Sequence, residues 1–173
     1  MSWLLIFCII AVSCVATEAL AWFIHRHVMH SWGWRWHKSH HEHHDDTFEL
    51  NDAFSLIFAG LAIVMLFAGQ IGPSWHWLFW VGIGVCVYGF FYVVVHEVLT
   101  HQRLPVRWQP KRGYLKRLID AHHLHHAARK PGQSVSYGFL YAPPVSKLRE
   151  ELHERRVSRK TGAATKVSPQ DAS

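Results

Sequence analysis

The sequence predicts an all-α integral membrane protein, in which about three transmembrane helices carry a cytosolic, histidine-rich helical cap that holds a dimetal site. Two observations predict this class. Half of the 173 residues are apolar, and many of them lie in long stretches without Lys or Arg. Ten of the 16 histidines fall into four motifs with repeated spacing, which lie between or after these stretches. At this length, the chain is expected to form a single domain.

Three stretches are candidates for transmembrane helices. Residues 2–24 contain one carboxylate, Glu18, and are long enough to cross a hydrocarbon core of ~30 Å. Residues 53–69 are at the short end of the spanning range, and residues 75–95 are a full-length stretch. A Gly-Pro break in residues 70–74 predicts a hairpin between them. The alternative that the first stretch is a cleaved signal peptide is disfavoured, because it lacks a basic segment at its start.

The distribution of positive charge predicts the orientation. All 18 Lys and Arg lie in residues 25–52, in residues 96–156 or in the tail after them. The positive-inside rule therefore places the N-terminus and the hairpin outside, and all four histidine motifs in the cytoplasm. Residues 1–156 are predicted to form one membrane domain, and the polar residues 157–173 a disordered tail. A fourth span after Leu115 stays an alternative, although no uncharged run there is long enough to require one.

The ten histidines repeat two spacings. An i, i+5 pair and an i, i+3, i+4 triplet each occur twice: His25 and His30; His37, His40 and His41; His96 and His101; His122, His125 and His126. Neutral imidazole binds divalent metals, and ten imidazoles suit two transition-metal ions with positions left for water or substrate. A triplet shares one face of an α-helix. An i, i+5 pair diverges by about 140° on an ideal helix, so we expect these pairs to reach the site from helix ends, or one pair to serve both ions.

Three carboxylates are candidates for hydrogen bonds to the ligand histidines. Glu18 lies two turns before His25, and this role and an interhelical hydrogen bond are equally favoured for it. Glu97 and Asp120 are adjacent to histidine motifs. Three other acidic residues are predicted to lie in a solvated loop: Asp45, Asp46 and Asp52.

Two further segments each allow two interpretations. Residues 103–117 contain six Lys or Arg, which favours contact with anionic headgroups over a docking surface for an acidic electron-transfer protein. Binding of nucleic acid is not expected. Residues 130–144 are rich in Gly, Pro and aromatic residues, and they either cover the substrate path or form an interfacial loop.

These motifs resemble those of the bacterial β-carotene hydroxylases in the membrane fatty-acid hydroxylase superfamily. The resemblance runs from about Glu18 to Leu152. It rests on five strings: His25-Arg-His-Val-Met-His30, Gly33-Trp-Arg-Trp-His-Lys-Ser-His-His41, His96-Glu-Val-Leu-Thr-His101, Asp120-Ala-His-His-Leu-His-His126 and Val135-Ser-Tyr-Gly-Phe-Leu-Tyr-Ala-Pro-Pro144. One departure is Glu97, where the family pattern has Asp.

The resemblance implies a non-haem diiron monooxygenase of the bacterial inner membrane, with the ten histidines as iron ligands. The implied reaction hydroxylates carbon 3 of β-ionone rings, taking β-carotene through β-cryptoxanthin to zeaxanthin and extending to keto-carotenoids on the route to astaxanthin. It needs O₂, two electrons and two protons. The sequence has no flavin- or nicotinamide-binding motif, so a separate carrier such as ferredoxin is expected to supply the electrons. Zinc is an alternative occupant in a purified sample, since an imidazole cage suits both ions. The oligomeric state is not predicted.

Two other classes of protein stay open. Carotenoid ketolases and lipid or sterol hydroxylases also contain histidine boxes, and their products would distinguish them. A metal transporter is disfavoured, because apart from Glu18 and a few hydroxyl groups the predicted spans lack the polar residues that would form a path.

Overall fold

The computed structural model describes residues 1–42, 48–128, 130 and 132–161, and within them the regular structure is entirely helical. The predicted all-α class is therefore confirmed. Six α-helices occur in this part of the chain: α1 (Trp3–Ile24), α2 (Trp34–His41), α3 (Asp52–Ala68), α4 (His76–Tyr92), α5 (Gly113–His126) and α6 (Val145–Thr161). Two π-helical segments continue α1 and α4, at His25–Met29 and Val93–Thr100, and a 3-10 turn at Pro73–Trp75 precedes α4.

The π-helical segments lengthen α1, which is already long enough to cross a membrane, and α4, which has only 17 residues without its extensions. The continuous helices Trp3–Met29 and Pro73–Thr100 contain 27 and 28 residues and are apolar enough to span. The apolar helix α3 is shorter, at 17 residues. Large apolar side chains on α1 point outward, and Trp3 and Phe7 are 84% and 68% exposed. Helices that present such faces indicate association with a membrane, because the lipid tails replace water as their solvent.

Helix α4 packs against both α1 and α3. Glycines permit close approach on both sides. A Cβ atom at Gly84 would lie 2.6 Å from the Cβ atom of Ser13 on α1, and one at Gly69 would lie 2.3 Å from the backbone nitrogen of Phe79 on α4. The chain reverses between Ala68 and His76, so the predicted hairpin between α3 and α4 is confirmed.

Helices α5 and α6 form the histidine-bearing end of the protein. Helix α5 packs against the second π-helical segment and against α6. Arg155 of α6 donates hydrogen bonds to the carbonyl oxygens of Gly132 and Ser134, at 3.2 and 2.9 Å. Helix α6 continues to Thr161, so residues 157–161, which were predicted to begin a disordered tail, are helical; residues 162–173 lie outside the described residues. The contacts of Arg155, together with its ion pair with Glu151 one turn earlier, account for this longer helix.

Candidate metal centre

The histidine motifs converge where the extended helices meet α2 and α5. Their ring nitrogens form two compact groups, each with all members within 4.8 Å of one another. The first cluster is His25, His30, His37 and His125, and the second cluster is His40, His101, His122 and His126. Each cluster has a fifth neighbour. His41 Nε2 lies 3.2 Å from His37 Nε2 in the first cluster, and His96 Nε2 lies 3.1 Å from His40 Nε2 in the second.

The i, i+5 pairs converge because the chain leaves α-helical geometry at those positions. The backbone N–H of His30 donates to the carbonyl oxygen of His25 at 3.1 Å, and that of His101 donates to His96 at 2.9 Å. These are the i to i+5 hydrogen bonds of a π-helix, which often occurs at functional sites. The ring centroids of the two pairs lie only 5.1 and 4.6 Å apart. The pairs lie at the ends of the two long helices, as expected, and the divergence of an ideal α-helix does not apply because both pairs belong to π-helical segments.

Neutral oxygen atoms orient three imidazoles of the first cluster. The Nδ1–H groups of His25 and His125 donate to the carbonyl oxygens of Tyr137 and Val135, at 2.8 and 3.1 Å. His37 Nδ1 lies 2.7 Å from Oδ1 of Asn51. A carbonyl oxygen can only accept, so the proton of each neutral ring is at Nδ1 and the lone pair is at Nε2. His25 and His37 thus direct Nε2 lone pairs at each other across 3.1 Å, which is repulsive unless a cation lies between them.

In the second cluster, carboxylates orient two of the imidazoles. His40 Nδ1 donates to Oε2 of Glu49 at 3.0 Å, and His96 Nδ1 donates to Oε1 of Glu97 at 2.7 Å. The Nε2 atoms of these two rings are 3.1 Å apart, and both carry lone pairs. A carboxylate that accepts from Nδ1–H fixes the ring orientation and makes Nε2 a stronger metal ligand.

Burial keeps the histidines neutral. Desolvation is the largest cause of the lowered pKa values, which are about 2 for His30, about 3 for His37, about 4 for His41 and about 3 for His101. Repulsion from neighbouring imidazolium charges lowers the pKa of His30 and His101 further. At neutral pH these rings are uncharged and have free lone pairs. Two groups of converging neutral imidazoles are a donor set that suits two transition-metal ions.

The three carboxylate candidates have different environments. Glu97 contacts His96, as described above. Asp120 pairs instead with Lys116 one turn earlier on α5. No described contact joins Glu18 to a ligand histidine. Its carboxylate interacts with the Tyr88 hydroxyl group on α4. Its Oε1 atom also accepts from three successive backbone N–H groups of the segment after α5: Phe139, Leu140 and Tyr141, at 3.0, 2.9 and 3.0 Å.

Sequence reasoning missed several residues at the centre. Glu49 and Asn51 orient His40 and His37, but they lie in a segment without periodicity that gave no signal. Asp52 was expected in a solvated loop. That expectation was wrong, since Asp52 begins α3 and forms an ion pair of 2.8 Å with Arg103. Asp45 and Asp46 lie outside the described residues.

Glu18 holds an aromatic side chain against both clusters. The Phe139 ring stacks on His25 with a centroid distance of 5.1 Å, and it contacts His96 edge-on at 5.0 Å. The same segment supplies the carbonyl oxygens of Val135 and Tyr137. Residues 132–144 therefore form one wall of the candidate metal centre.

An apolar cavity of about 630 Å³ leads to the centre from between α1, α3 and α4. Its walls are mainly aliphatic and aromatic, with Phe58, Ala62 and Val85 as examples. Its inner end includes His37, His40, His96 and Phe139. The cavity can therefore bring part of a lipid-soluble molecule into contact with both clusters.

Similarity to known proteins agrees with this geometry. The fatty acid hydroxylase family matches residues 10–143. The β-carotene hydroxylase of Pantoea ananas is 46% identical over 164 residues, covering 95% of this chain and 92% of the relative. The β-carotene hydroxylase of Pseudescherichia vulneris is 48% identical over 165 residues, covering 95% and 93%.

A plant relative is more distant and longer. The chloroplastic β-carotene 3-hydroxylase 1 of Arabidopsis thaliana is 35% identical over 159 residues, which cover 89% of this chain and 50% of the plant protein. No solved structure matches the chain significantly. The near full-length bacterial relatives and the family match agree with the resemblance carried by the histidine motifs, and this chain belongs to the fatty acid hydroxylase family.

Proposed function

We propose that this protein is a membrane β-carotene hydroxylase, which adds a hydroxyl group to carbon 3 of each β-ionone ring and so forms β-cryptoxanthin and then zeaxanthin. The observation that carries the proposal is an apolar cavity that ends at two clusters of neutral histidines. A hydroxylase needs this juxtaposition, whereas a metal transporter needs a polar path. The assignment of a carotenoid as the substrate comes from relatives whose alignments cover 95% of this chain.

The metal ligands in this proposal are the ten histidines, five for each ion. Both ions are proposed to be iron, which when bound supplies the O₂ activation that hydroxylation of an unactivated carbon requires. Zinc would fit the same imidazoles and give an inactive protein. Two electrons and two protons must come from outside. We assign the electrons to a soluble carrier such as ferredoxin, which would dock on exposed basic residues such as Lys111 and Arg112.

The protein itself contributes binding, orientation and exclusion of water. The cavity volume lies within the range of roughly 300–1,000 Å³ that is usual for drug-sized ligands, so it suits one ring with part of the polyene. Phe139 fills the space between His25 and His96 and limits how close the ring can come. These contacts would position one ring carbon next to the metal centre.

The proposed topology places the N-terminus outside and the histidines in the cytoplasm of a bacterial inner membrane. Because this topology places the centre at one face of the membrane, the two rings of one carotenoid that lies across the bilayer cannot react in one binding event. The singly hydroxylated product is therefore released and bound again. A product time course should show β-cryptoxanthin before zeaxanthin, and zeaxanthin without any intermediate would contradict this geometry.

The test of function is pigment chromatography of bacterial cells that accumulate β-carotene and express this chain. The intact protein is expected to form β-cryptoxanthin and zeaxanthin. His122→Ala should abolish both, because His122 is buried in the second cluster. His123→Ala is the matched control and should keep the products, since the adjacent His123 is exposed. Ring ketones instead of alcohols would assign a carotenoid ketolase, and unchanged β-carotene in iron-loaded membranes would overturn the proposal.

A further inference from the structure

Arg103 closes a ring of contacts around the second cluster. Its guanidinium group forms ion pairs with Glu49 at 3.1 Å and with Glu97 at 2.8 Å. The other oxygen atoms of these two carboxylates accept from His40 and His96, at 3.0 and 2.7 Å. The Nε2 atoms of the two histidines then face each other across 3.1 Å. One arginine therefore joins the two carboxylates that orient two imidazoles of the same cluster.

The backbone supports this position of Arg103. Its N–H group donates to the carbonyl oxygen of Glu97 at 3.0 Å. The preceding residue, Gln102, has a φ of 54°, in the left-handed region that non-glycine residues rarely adopt. This turn directs His101 into the second cluster and Arg103 towards the carboxylates that support it. The side chain also binds Asp52 at 2.8 Å, which connects the start of α3 to the same network.

The two clusters differ in the charge around them. Three carboxylates and one guanidinium leave the network beside the second cluster with a net charge of −2. The acceptors that orient His25, His37 and His125 in the first cluster are neutral. A divalent ion in the second cluster would balance the network charge, and its imidazole ligands would be stronger donors.

We infer that Arg103 is a positioning residue that makes the two metal positions unequal, with the ion of the second cluster held more tightly than that of the first. This inference rests on the proposed two-metal centre. Arginine suits the role because its planar group contacts all three carboxylates at once, which the compact ammonium of lysine cannot match. Without the guanidinium, Glu49, Asp52 and Glu97 repel one another, and the support of His40 and His96 is lost.

The test measures the release of iron rather than activity. The full-length protein in detergent is loaded anaerobically with Fe²⁺ and mixed with a chromophoric iron chelator. The intact protein should contain two ions per chain and release them in a fast and a slow phase. Arg103→Gln should accelerate only the slow phase, by roughly 10- to 100-fold. Arg103→Lys should have a smaller effect, and Arg107→Gln, at an exposed arginine of the same loop, should have none.

Single ligand variants assign the two phases to the clusters. His122→Ala should remove the slow phase, and His125→Ala should remove the fast phase. If Arg103→Gln does not yield folded protein, Glu49→Gln breaks the same ring with an isosteric side chain and should also accelerate only the slow phase. Equal acceleration of both phases, or none, in the variant that folds would overturn the inference. An intact protein that binds no iron would instead refute the proposed metal centre.

Discussion

The carboxylate of Glu18 anchors residues 139–141, and its removal should open one wall of the candidate metal centre. In Glu18→Ala, three backbone N–H groups lose their acceptor. Water can replace the acceptor at the exposed Tyr141, whereas Phe139 and Leu140 are partly buried. An unsatisfied buried donor costs about 1–3 kcal/mol, so two donors should lower the free energy of unfolding by about 2–6 kcal/mol. For a chain of this length, this corresponds to a fall in melting temperature of roughly 4–24 °C.

The consequence should extend to metal binding, because the same segment orients His25 and His125 through the carbonyl oxygens of Tyr137 and Val135. The assay combines thermal unfolding in detergent with iron content per chain. Glu18→Gln is the matched control: its amide oxygen can still accept, with hydrogen bonds of about half the strength, so the loss should be clearly smaller. The anchoring role would be refuted if the alanine variant has the same melting temperature as the intact protein and retains its iron.

Three further outcomes follow from the packing and burial. Gly84→Ala should destabilise the protein by about 1–3 kcal/mol in thermal unfolding, since its Cβ would overlap α1, whereas Gly60→Ala, which has open space, should not. Gly89→Leu projects into the cavity and should lower carotenoid hydroxylation at least about tenfold at unchanged iron content, with Gly60→Leu as the control. The free energy of unfolding of the iron-free protein should fall as the pH falls below about 6.5. Unfolded histidines take up protons there, whereas the pKa values of His41 and His37 in the folded protein are about 4 and about 3. Thermal melts from about pH 7.5 to 4 would check this.

Much of the helical framework could be predicted from composition alone. The apolar stretches 2–24, 53–69 and 75–95 correspond closely to α1, α3 and α4, because apolar runs of that length have few other stable arrangements in a membrane. The end of α6 was harder to predict, because polar composition does not reveal that Arg155 binds carbonyl oxygens of another segment.

The histidines of the candidate metal centre were also visible in the sequence, but the groups that orient them were not. Histidine spacing identifies the rings that converge. The acceptors of their Nδ1–H groups come from segments without periodicity, such as Glu49 and Asn51, or from backbone carbonyl groups, which no side chain reveals. Arg103 resembled one more member of a basic stretch, and only its three carboxylate contacts distinguish it from the exposed Arg107.

The two π-helical segments explain the repeated i, i+5 spacing of the histidines. A π-turn costs the helix its regular hydrogen bonding, and it persists where the surroundings require it. In this protein, a π-helical segment ends each of the two long apolar helices, and each segment contains the first histidine of an i, i+5 pair. Each turn places a buried first histidine and a second histidine five residues later on the same side of the chain. The spacing of five therefore indicates the π-turn. Histidines three or four residues apart already share one face of an α-helix and would converge without a π-turn.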